Sequence, residues 1–316
     1  MLNDKLALLF PGQGSQKIGM QADLAEKFPQ IGQTFGAASE VLGYDLWALC
    51  QSGADADINL TERTQPLLLT ASTAMWRIWR DSGGPVPGVV AGHSLGEWSA
   101  LVCAGVVAFE DAVDLVRCRG QYMQAAVPVG VGAMAAIIGL ADAEIERCCT
   151  EAVSADAGSV VAAVNYNAPG QVVIAGQAAA VTRAIELCKA AGAKRALPLP
   201  VSAPFHTELM RPAAEQLSAK IESAVFAAPQ IPVIHNVNGQ AEADPAAIKA
   251  LMIEQVYSPV RWVDCIEAVA ARGVEITVEC GTGKVLSGLN KRINKSLIAL
   301  STDDVASLES ALSGVN

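Results

Sequence analysis

The stretch that decides the fold is Val89–Val106, VVAGHSLGEWSALVCAGV, which places Ser94 between two glycines. An apolar run precedes the serine, and a second one, which reads as a helix, follows it. The pattern Gly-x-Ser-x-Gly is typical of a sharp strand-to-helix turn, because such a turn leaves no room for Cβ atoms beside the serine. The turn lifts the hydroxyl to the carboxyl end of a sheet and directs the free N–H groups of the helix at it. The pattern therefore predicts a nucleophilic Ser94, with a purely structural turn as the alternative.

Apolar strands alternate with helical patterns on both sides of this turn, which predicts an α/β protein with a mostly parallel sheet covered by helices. We assign the large unit to residues 1–127 and 203–316. Its predicted elements are a strand over Lys5–Phe10, helices to about residue 82, a strand in GVVAG, a helix after Ser94, a helix over Phe109–Val127, a strand in IPVIHNV, a helix near 259–272, a strand in EITVECG and a final helix.

The middle of the chain has a different order of elements. GAMAAIIGL, VVAAVNY, GQVVIAG and AKRALPLP read as strands, and two helical segments separate the first from the second and the third from the fourth. This order, βαββαβ, is that of a ferredoxin-like fold. We therefore predict a small inserted domain over residues 128–202.

Composition excludes several classes of function. The chain has 316 residues, is 52% hydrophobic and carries a net charge of −10, so nucleic acid is not an expected partner. No apolar run reaches the length of a membrane span, and no signal peptide is recognisable at the N-terminus. The eight cysteines form no C-x-x-C pair, which argues against zinc and favours free thiols in a reducing cytoplasm. We expect a cytoplasmic protein without a metal.

A serine nucleophile needs a base, and the chain has three histidines: His93, His206 and His235. His93 adjoins the serine in a tight turn, where neighbouring side chains diverge, so we expect it to pack or hydrogen-bond beside the turn. His206 lies in the proline-bracketed loop PVSAPFHTELMRP, whereas His235 lies in a strand-like segment. Because functional groups concentrate on loops, we favour His206 over His235 as the base. Spacing identifies no acid to orient it.

Two further features suit an acyl-binding site. Arg119 lies among apolar neighbours at helical spacing, which is unfavourable unless the guanidinium meets an anion. Three alternatives are open for Arg119: it binds a ligand, it pairs with an internal acid, or its side chain extends past the apolar stripe to solvent. The loop PGQGSQ lacks the full dinucleotide-binding pattern, but it follows a strand, and its N–H groups are candidates for an oxyanion hole beside Ser94.

Seven segments together resemble the bacterial malonyl-CoA:acyl carrier protein transacylases over essentially the whole chain. They are LLFPGQGSQKIGM, GHSLGEWSAL, RGQYMQAAVP, GAMAAIIGL, PGQVVIAG, AGAKRALPLPVSAPFH and GKVLSGLNKRI. The resemblance implies a hydrolase-like α/β domain that carries a ferredoxin-like insertion. Two departures are Thr282, where the family often has proline after the last strand, and Phe205, where several bacterial members have serine.

The resemblance also implies a role for each matching residue. Ser94 is the nucleophile, His206 the base, and Arg119 the group that binds the malonyl carboxylate. The main-chain amides of Gln13 and Leu95 form the oxyanion hole. The main-chain carbonyl of Gln255 orients the histidine, which explains the missing acid. Phe205 precedes the base, as it does in related polyketide acyltransferases that select malonyl, and so favours an unbranched acyl group.

The implied activity is transfer of a malonyl group from malonyl-CoA to the phosphopantetheine thiol of acyl carrier protein, for fatty acid synthesis. The coenzyme A thioester is a substrate, no cofactor is needed, and we expect a monomer. A malonyl transferase of a polyketide or malonate decarboxylase system and a serine esterase are the alternatives. Carrier proteins are acidic, so a local basic patch is needed on this acidic chain. The candidates for this patch are Lys189, Lys194, Arg195, Lys284, Lys291 and Arg292. The alternative is that these residues form only a solvated charged surface.

Overall fold

The computed structural model describes residues 2–154, 156, 158–201 and 203–315. The strands are β1 (Leu2–Phe10), β2 (Val86–Gly92), β3 (Gly132–Ile138), β4 (Val161–Ala168), β5 (Gln171–Gln177), β6 (Arg195–Pro198), β7 (Val233–Ile234), β8 (Ile276–Glu279) and β9 (Ile298–Ser301). The helices are α1 (Ala22–Lys27), α2 (Pro29–Leu42), α3 (Leu46–Ser52), α4 (Asp55–Ile58), α5 (Thr61–Asp81), α6 (Leu95–Cys103), α7 (Phe109–Ala125), α8 (Asp142–Ser154), α9 (Ala178–Ala190), α10 (Arg211–Ser223), α11 (Pro245–Glu254), α12 (Trp262–Ala271), α13 (Val285–Ile293) and α14 (Val305–Gly314). A short 3-10 helix, Glu208–Met210, leads into α10.

The large sheet has the strand order β7-β2-β1-β8-β9, and all of its strand pairs are parallel. Strand β1 is buried without interruption from Leu6 to Phe10 because both faces of the sheet are covered. Leu8 and Phe10 pack into the core on one face, whereas Ala7 and Leu9 pack into the core on the other. The prediction of a mostly parallel sheet between helices is confirmed.

The small sheet has the strand order β4-β5-β3-β6, with antiparallel pairing throughout. Helices α8 and α9 pack on one face of it, as a ferredoxin-like fold requires. The other face carries Met134, Val164 and Val173, which pack against the segment that contains Leu199 and Phe205. This second face therefore turns toward the loop that leads to His206.

The predicted elements differ from the observed ones mainly after residue 230. The predicted strand in IPVIHNV contains only the two residues of β7, because the chain then turns inward at His235 and Asn236. The sequence-based prediction had no helix at α11, and it ended with one helix, so it also missed β9 and α14. The helix predicted over Phe109–Val127 ends at Ala125. Within the described residues, no helix is both long enough and apolar enough to cross a membrane.

Candidate active site

Ser94 occupies the turn between the last residue of β2 and the first residue of α6, with φ 52° and ψ −105°. A Cβ atom on Gly92 would lie 2.0 Å from the carbonyl of Gly96, and one on Gly96 would lie 2.0 Å from the carbonyl oxygen of Phe10. Both glycines are therefore needed for the close approach of α6 to strands β1 and β2. The predicted strand-to-helix turn is present, and it holds the serine side chain at the carboxyl end of the sheet.

His206 reaches the serine from the turn that precedes the 3-10 helix. Its Nε2 lies 2.7 Å from Ser94 Oγ, and its Nδ1 lies 2.9 Å from the main-chain oxygen of Gln255. Since a carbonyl oxygen only accepts hydrogen bonds, the Nδ1 carries the proton and Nε2 presents its lone pair to the hydroxyl. The contact between His206 and Gln255 is the one that the resemblance implied.

Burial, together with the positive charge of Arg119, lowers the pKa of His206 from its ordinary 6.5 to about 3. The imidazole is consequently neutral near pH 7. A neutral ring with a free Nε2 beside a hydroxyl is in the state that a general base requires.

The other two histidines have structural surroundings. His93 forms a 2.7 Å hydrogen bond through Nε2 to Asn167 Oδ1 on the small sheet. His235 is fully buried, and its Nδ1 lies 2.7 Å from Glu97 Oε1. The structure thus brings His206, and not His235, to the serine.

Arg119 projects from α7 into the same site and is only 1% exposed, which excludes the alternative that it extends to solvent. Its Nη1 donates to Gln65 Oε1 at 2.8 Å, and its Nη2 donates to Gln255 Oε1 at 3.0 Å and Ser94 Oγ at 3.2 Å. Burial lowers the pKa of Arg119 to about 10, so the group stays charged at neutral pH. A buried cation that meets neutral oxygen atoms beside the nucleophile is suited to bind an anion.

A cavity of about 120 Å³ opens over Ser94. Its lining residues come from helices α5, α6 and α7, from strands β3 and β4 of the small sheet, and from loops: Gln13, Gln65, His93, Ser94, Leu95, Arg119, Met123, Met134, Asn165, Leu199, Val201, Phe205 and His206. Leu95 is the first residue of α6, and the N–H groups of a first helical turn have no intrahelical partner. Gln13 lies in the loop after β1. Both residues therefore border the space in front of Ser94, next to an apolar wall that includes Phe205.

Three buried polar residues of the site were not predicted. Glu97 accepts hydrogen bonds from the side chains of His235 and Gln255, and Gln65 accepts one from Arg119. Asn236 accepts a hydrogen bond from the Ser94 N–H and donates one to the Gly92 carbonyl, both 2.7 Å long. The sequence offered one signal that could have identified such residues, a lone polar residue in an apolar segment, such as Glu97 in SLGEWSAL.

A second cleft adjoins the cavity and shares Gln13, His93 and Asn165 with it. Val285 and Leu289 of α13 border this cleft, as does Gln171 of β5. Lys284 precedes α13, Lys291 and Arg292 lie on it, and Arg292 is hydrogen-bonded to Gln171.

The other three predicted basic residues lie on the small domain. Lys189 forms an ion pair with Glu186 on α9, which packs on the face of the small sheet away from the cavity. Lys194 and Arg195 lie, exposed, at the start of β6. The α13 group of basic residues therefore lies beside the cleft, whereas Lys189 lies on the opposite side of the small sheet.

The parallel sheet with a Ser94–His206 pair at its carboxyl end is the arrangement of a serine-dependent acyl-transferring enzyme. A family model described as acyl transferase domain matches residues 7–307, and the chain belongs to this family of acyltransferases.

Relatives match this chain over nearly its whole length. It is 54% identical to the malonyl CoA-acyl carrier protein transacylase of Salmonella typhimurium, over 98% of this chain and 99% of the relative. An acyl carrier protein S-malonyltransferase from Vibrio cholerae has a similar structure, with a TM-score of 0.94, 59% identity and coverage of 97% of this chain and 99% of that one. A malonyl-transacylase in complex with a type II polyketide acyl-carrier protein has a TM-score of 0.96 at 52% identity, over 98% of this chain and 99% of that one.

Proposed function

We propose that the protein transfers the malonyl group of malonyl-CoA to the phosphopantetheine thiol of acyl carrier protein through a malonyl-Ser94 ester. The observation that carries this proposal is the buried, charged Arg119 beside the nucleophile. Malonyl differs from acetyl by one carboxylate, and a guanidinium binds a carboxylate with two parallel N–H donors and the opposite charge. The names of the full-length relatives support the same substrate and acceptor.

In the first half-reaction, His206 Nε2 takes the proton of Ser94 Oγ while Oγ attacks the thioester carbonyl. The N–H groups of Gln13 and Leu95 stabilise the oxyanion, a contribution of about 2.7–4 kcal/mol per donor in comparable sites. The carbon–sulfur bond then breaks, and the proton on His206 passes to the departing coenzyme A sulfur. The main-chain carbonyl of Gln255 holds the imidazole in the required tautomer throughout.

In the second half-reaction, the carrier thiol gives its proton to His206, and its sulfur attacks the malonyl-serine ester. The ester bond breaks, and Ser94 Oγ regains the proton. A thioester is consumed and a thioester is formed, so the overall reaction is close to balanced and reversible. The chemistry needs only groups of the chain, and coenzyme A takes part as a component of the substrate.

We infer a cytoplasmic role in fatty acid synthesis. The eight cysteines are buried and unpaired, which suits a reducing compartment. A polyketide pathway is the second candidate, because one structural neighbour is bound to a polyketide carrier. Transfer rates to a fatty acid carrier and to a polyketide carrier, measured side by side, separate the two pathways.

The direct test of the proposal is mass spectrometry after mixing the protein with malonyl-CoA in the absence of carrier. We expect one malonyl group on the peptide that contains Ser94, and Ser94→Ala should abolish both this label and transfer. Addition of the carrier thiol should discharge the label onto the carrier. Labelling that persists in Ser94→Ala contradicts the assignment of the nucleophile, and discharge to water as fast as to the carrier favours an esterase.

A further inference from the structure

The side chain of Gln255 is a buried junction between the nucleophile, an acid and the arginine. Its Nε2 donates to the main-chain oxygen of Ser94 at 2.9 Å and to Glu97 Oε2 at 2.7 Å. Its Oε1 accepts from Arg119 Nη2 at 3.0 Å. The main-chain carbonyl of the same residue, which is a separate group, accepts from His206.

These partners allow only one orientation of the Gln255 carboxamide. The Nε2 faces two acceptors, and the Oε1 faces a cationic donor. If the amide were reversed, its oxygen would face the two acceptors and its NH₂ group would face the guanidinium, so all three hydrogen bonds would be lost. The position of Arg119 therefore depends on what keeps the amide in this orientation.

Glu97 is the charged group that favours this orientation. Its carboxylate is fully buried and fixed from two other directions, by His235 Nδ1 at 2.7 Å and the main-chain N–H of Asn236 at 3.1 Å. The negative charge of Glu97 also acts on Arg119, where it opposes the lowering of the pKa by burial. The hydrogen bonds of Glu97 go to His235, Asn236 and Gln255, and not to the Ser94 hydroxyl or to His206. Its influence on the reaction is therefore indirect.

We propose that Glu97 is a positioning residue that, through the side chain of Gln255, holds the Arg119 guanidinium in the orientation that receives the carboxylate of the acyl group. This inference rests on the proposed malonyl specificity of Arg119. It separates two functions of Gln255: the main-chain carbonyl orients the base, and the side chain orients the arginine. Loss of Glu97 should consequently impair selection of the acyl group more than it impairs the base.

The test compares Glu97→Met, which removes the acceptor and the charge, with Glu97→Gln, which retains an acceptor oxygen for Gln255. The measurement is kcat/KM of the first half-reaction for malonyl-CoA and acetyl-CoA, with active sites counted by a fluorophosphonate that labels Ser94. We expect Glu97→Met to lower the malonyl value by roughly 100-fold and the acetyl value much less, since misplacement of a binding group by about 1 Å has such effects. Glu97→Gln should recover part of the malonyl activity.

Glu279→Gln is the matched control. Glu279 is also a buried acid that accepts hydrogen bonds from two main-chain N–H groups and a hydroxyl, but its partners are Leu286 and Ser287. Its neutralisation should leave the malonyl-to-acetyl ratio unchanged. If Glu97→Met does not fold, Gln255→Met tests the same proposal, because it retains the main-chain carbonyl and removes only the carboxamide.

An equal fall of both substrates in Glu97→Met and Gln255→Met, at constant active-site concentration, overturns the proposal. In an Arg119→Ala background, Glu97→Met should not lower the ratio further, because the group that it positions is gone. A wild-type protein without a preference for malonyl would contradict the proposed function instead. In that case a crystal structure of Glu97→Met decides the inference: a retained bond between Arg119 Nη2 and Gln255 Oε1 refutes it, and a broken one supports it.

Discussion

Both members of the Ser94–His206 pair have a backbone conformation that residues with side chains seldom adopt. The φ angle is 52° at Ser94 and 63° at His206. Such conformations cost about 1–3 kcal/mol each and persist where neighbouring groups fix them. At Ser94 the carboxamide of Asn236 does so by bonding the N–H of the serine and the carbonyl of Gly92. The glycines in the sequence predicted the turn at Ser94, but no sequence pattern predicts a positive φ at His206.

The depressed pKa of His206 predicts the pH dependence of acylation. The value of kcat/KM reports groups of the free enzyme, and His206 stays neutral well below its ordinary pKa of 6.5. Acylation by acetyl-CoA, measured as kcat/KM, should therefore remain nearly constant from about pH 7 down to about pH 5. In Arg119→Met, loss of the positive charge raises the pKa of His206, so the acid limb should move to higher pH. A limb at the same or lower pH in the variant would contradict this account.

The same pKa has a consequence for stability, with a definite sign. Because the folded-state pKa of His206 lies below the unfolded value, the unfolded chain binds more protons at pH values between the two. The contribution of His206 to the free energy of unfolding is then constant above about pH 6.5 and falls as the pH drops from there toward 3. A loss of activity at low pH can therefore reflect unfolding, so the folded fraction must be measured at each pH as well.

At the scale of elements, strong local patterns were predicted well and weak ones were not. The apolar runs before and after Ser94 predicted β2 and α6, because a strand buried on both faces and an apolar helix leave clear patterns. Strand β9 was missed, since it is a four-residue edge strand without a fully buried residue. Strand β7 was predicted too long, because the sequence does not show that Asn236 leaves the sheet to bond the turn at Ser94.

Substitution by alanine should have opposite effects on stability at two glycines, Gly96 where α6 approaches β1 and Gly36 on the exposed side of α2. In Gly96→Ala, the new Cβ would lie 2.0 Å from the carbonyl oxygen of Phe10, so the turn must open; we expect a loss of about 3 kcal/mol or more and little Ser94 labelling. In Gly36→Ala, on the exposed side of α2, the Cβ meets nothing within 4 Å, and a gain of about 0.5–1 kcal/mol is expected. Urea unfolding measures both. A Gly96→Ala protein as stable as the wild type would refute the steric account of the motif.

At the scale of the whole molecule, the site joins residues that are far apart in the sequence. Gln255 lies 161 residues from Ser94, and its assignment, like that of Gln13, came from resemblance, because no spacing rule connects such positions. The antiparallel small sheet also supplies a wall of the cavity through Met134. All strands of the small sheet lie between residues 132 and 198, within the predicted limits of the small domain at 128 and 202. Those limits and the monomeric state remain predictions.

The carrier protein presents an electrostatic problem, because an acidic partner must approach a chain with a net charge of −10. Local positive charge near the entrance would resolve it, and three of the six predicted basic residues lie on or beside α13, which borders the cleft next to the cavity. Lys284 is exposed and directly precedes Val285 of the cleft wall. Lys189 is exposed as well, but it is paired with Glu186 on a helix that faces away from the cavity. The two lysines thus form a matched pair for a test.

Lys284→Glu should lower kcat/KM for acyl carrier protein and leave malonylation of Ser94 by malonyl-CoA unchanged, because like charges beside the entrance oppose carrier docking and not the chemistry. Lys189→Glu introduces the same change of charge and should affect neither half-reaction. Added salt should reduce carrier use by the wild type more than by Lys284→Glu, since the attraction that salt screens is already absent in the variant. Equal losses in both half-reactions of Lys284→Glu would assign the lysine to coenzyme A binding. Equal losses of carrier use in the two variants would show that net charge, and not the cleft beside α13, governs docking.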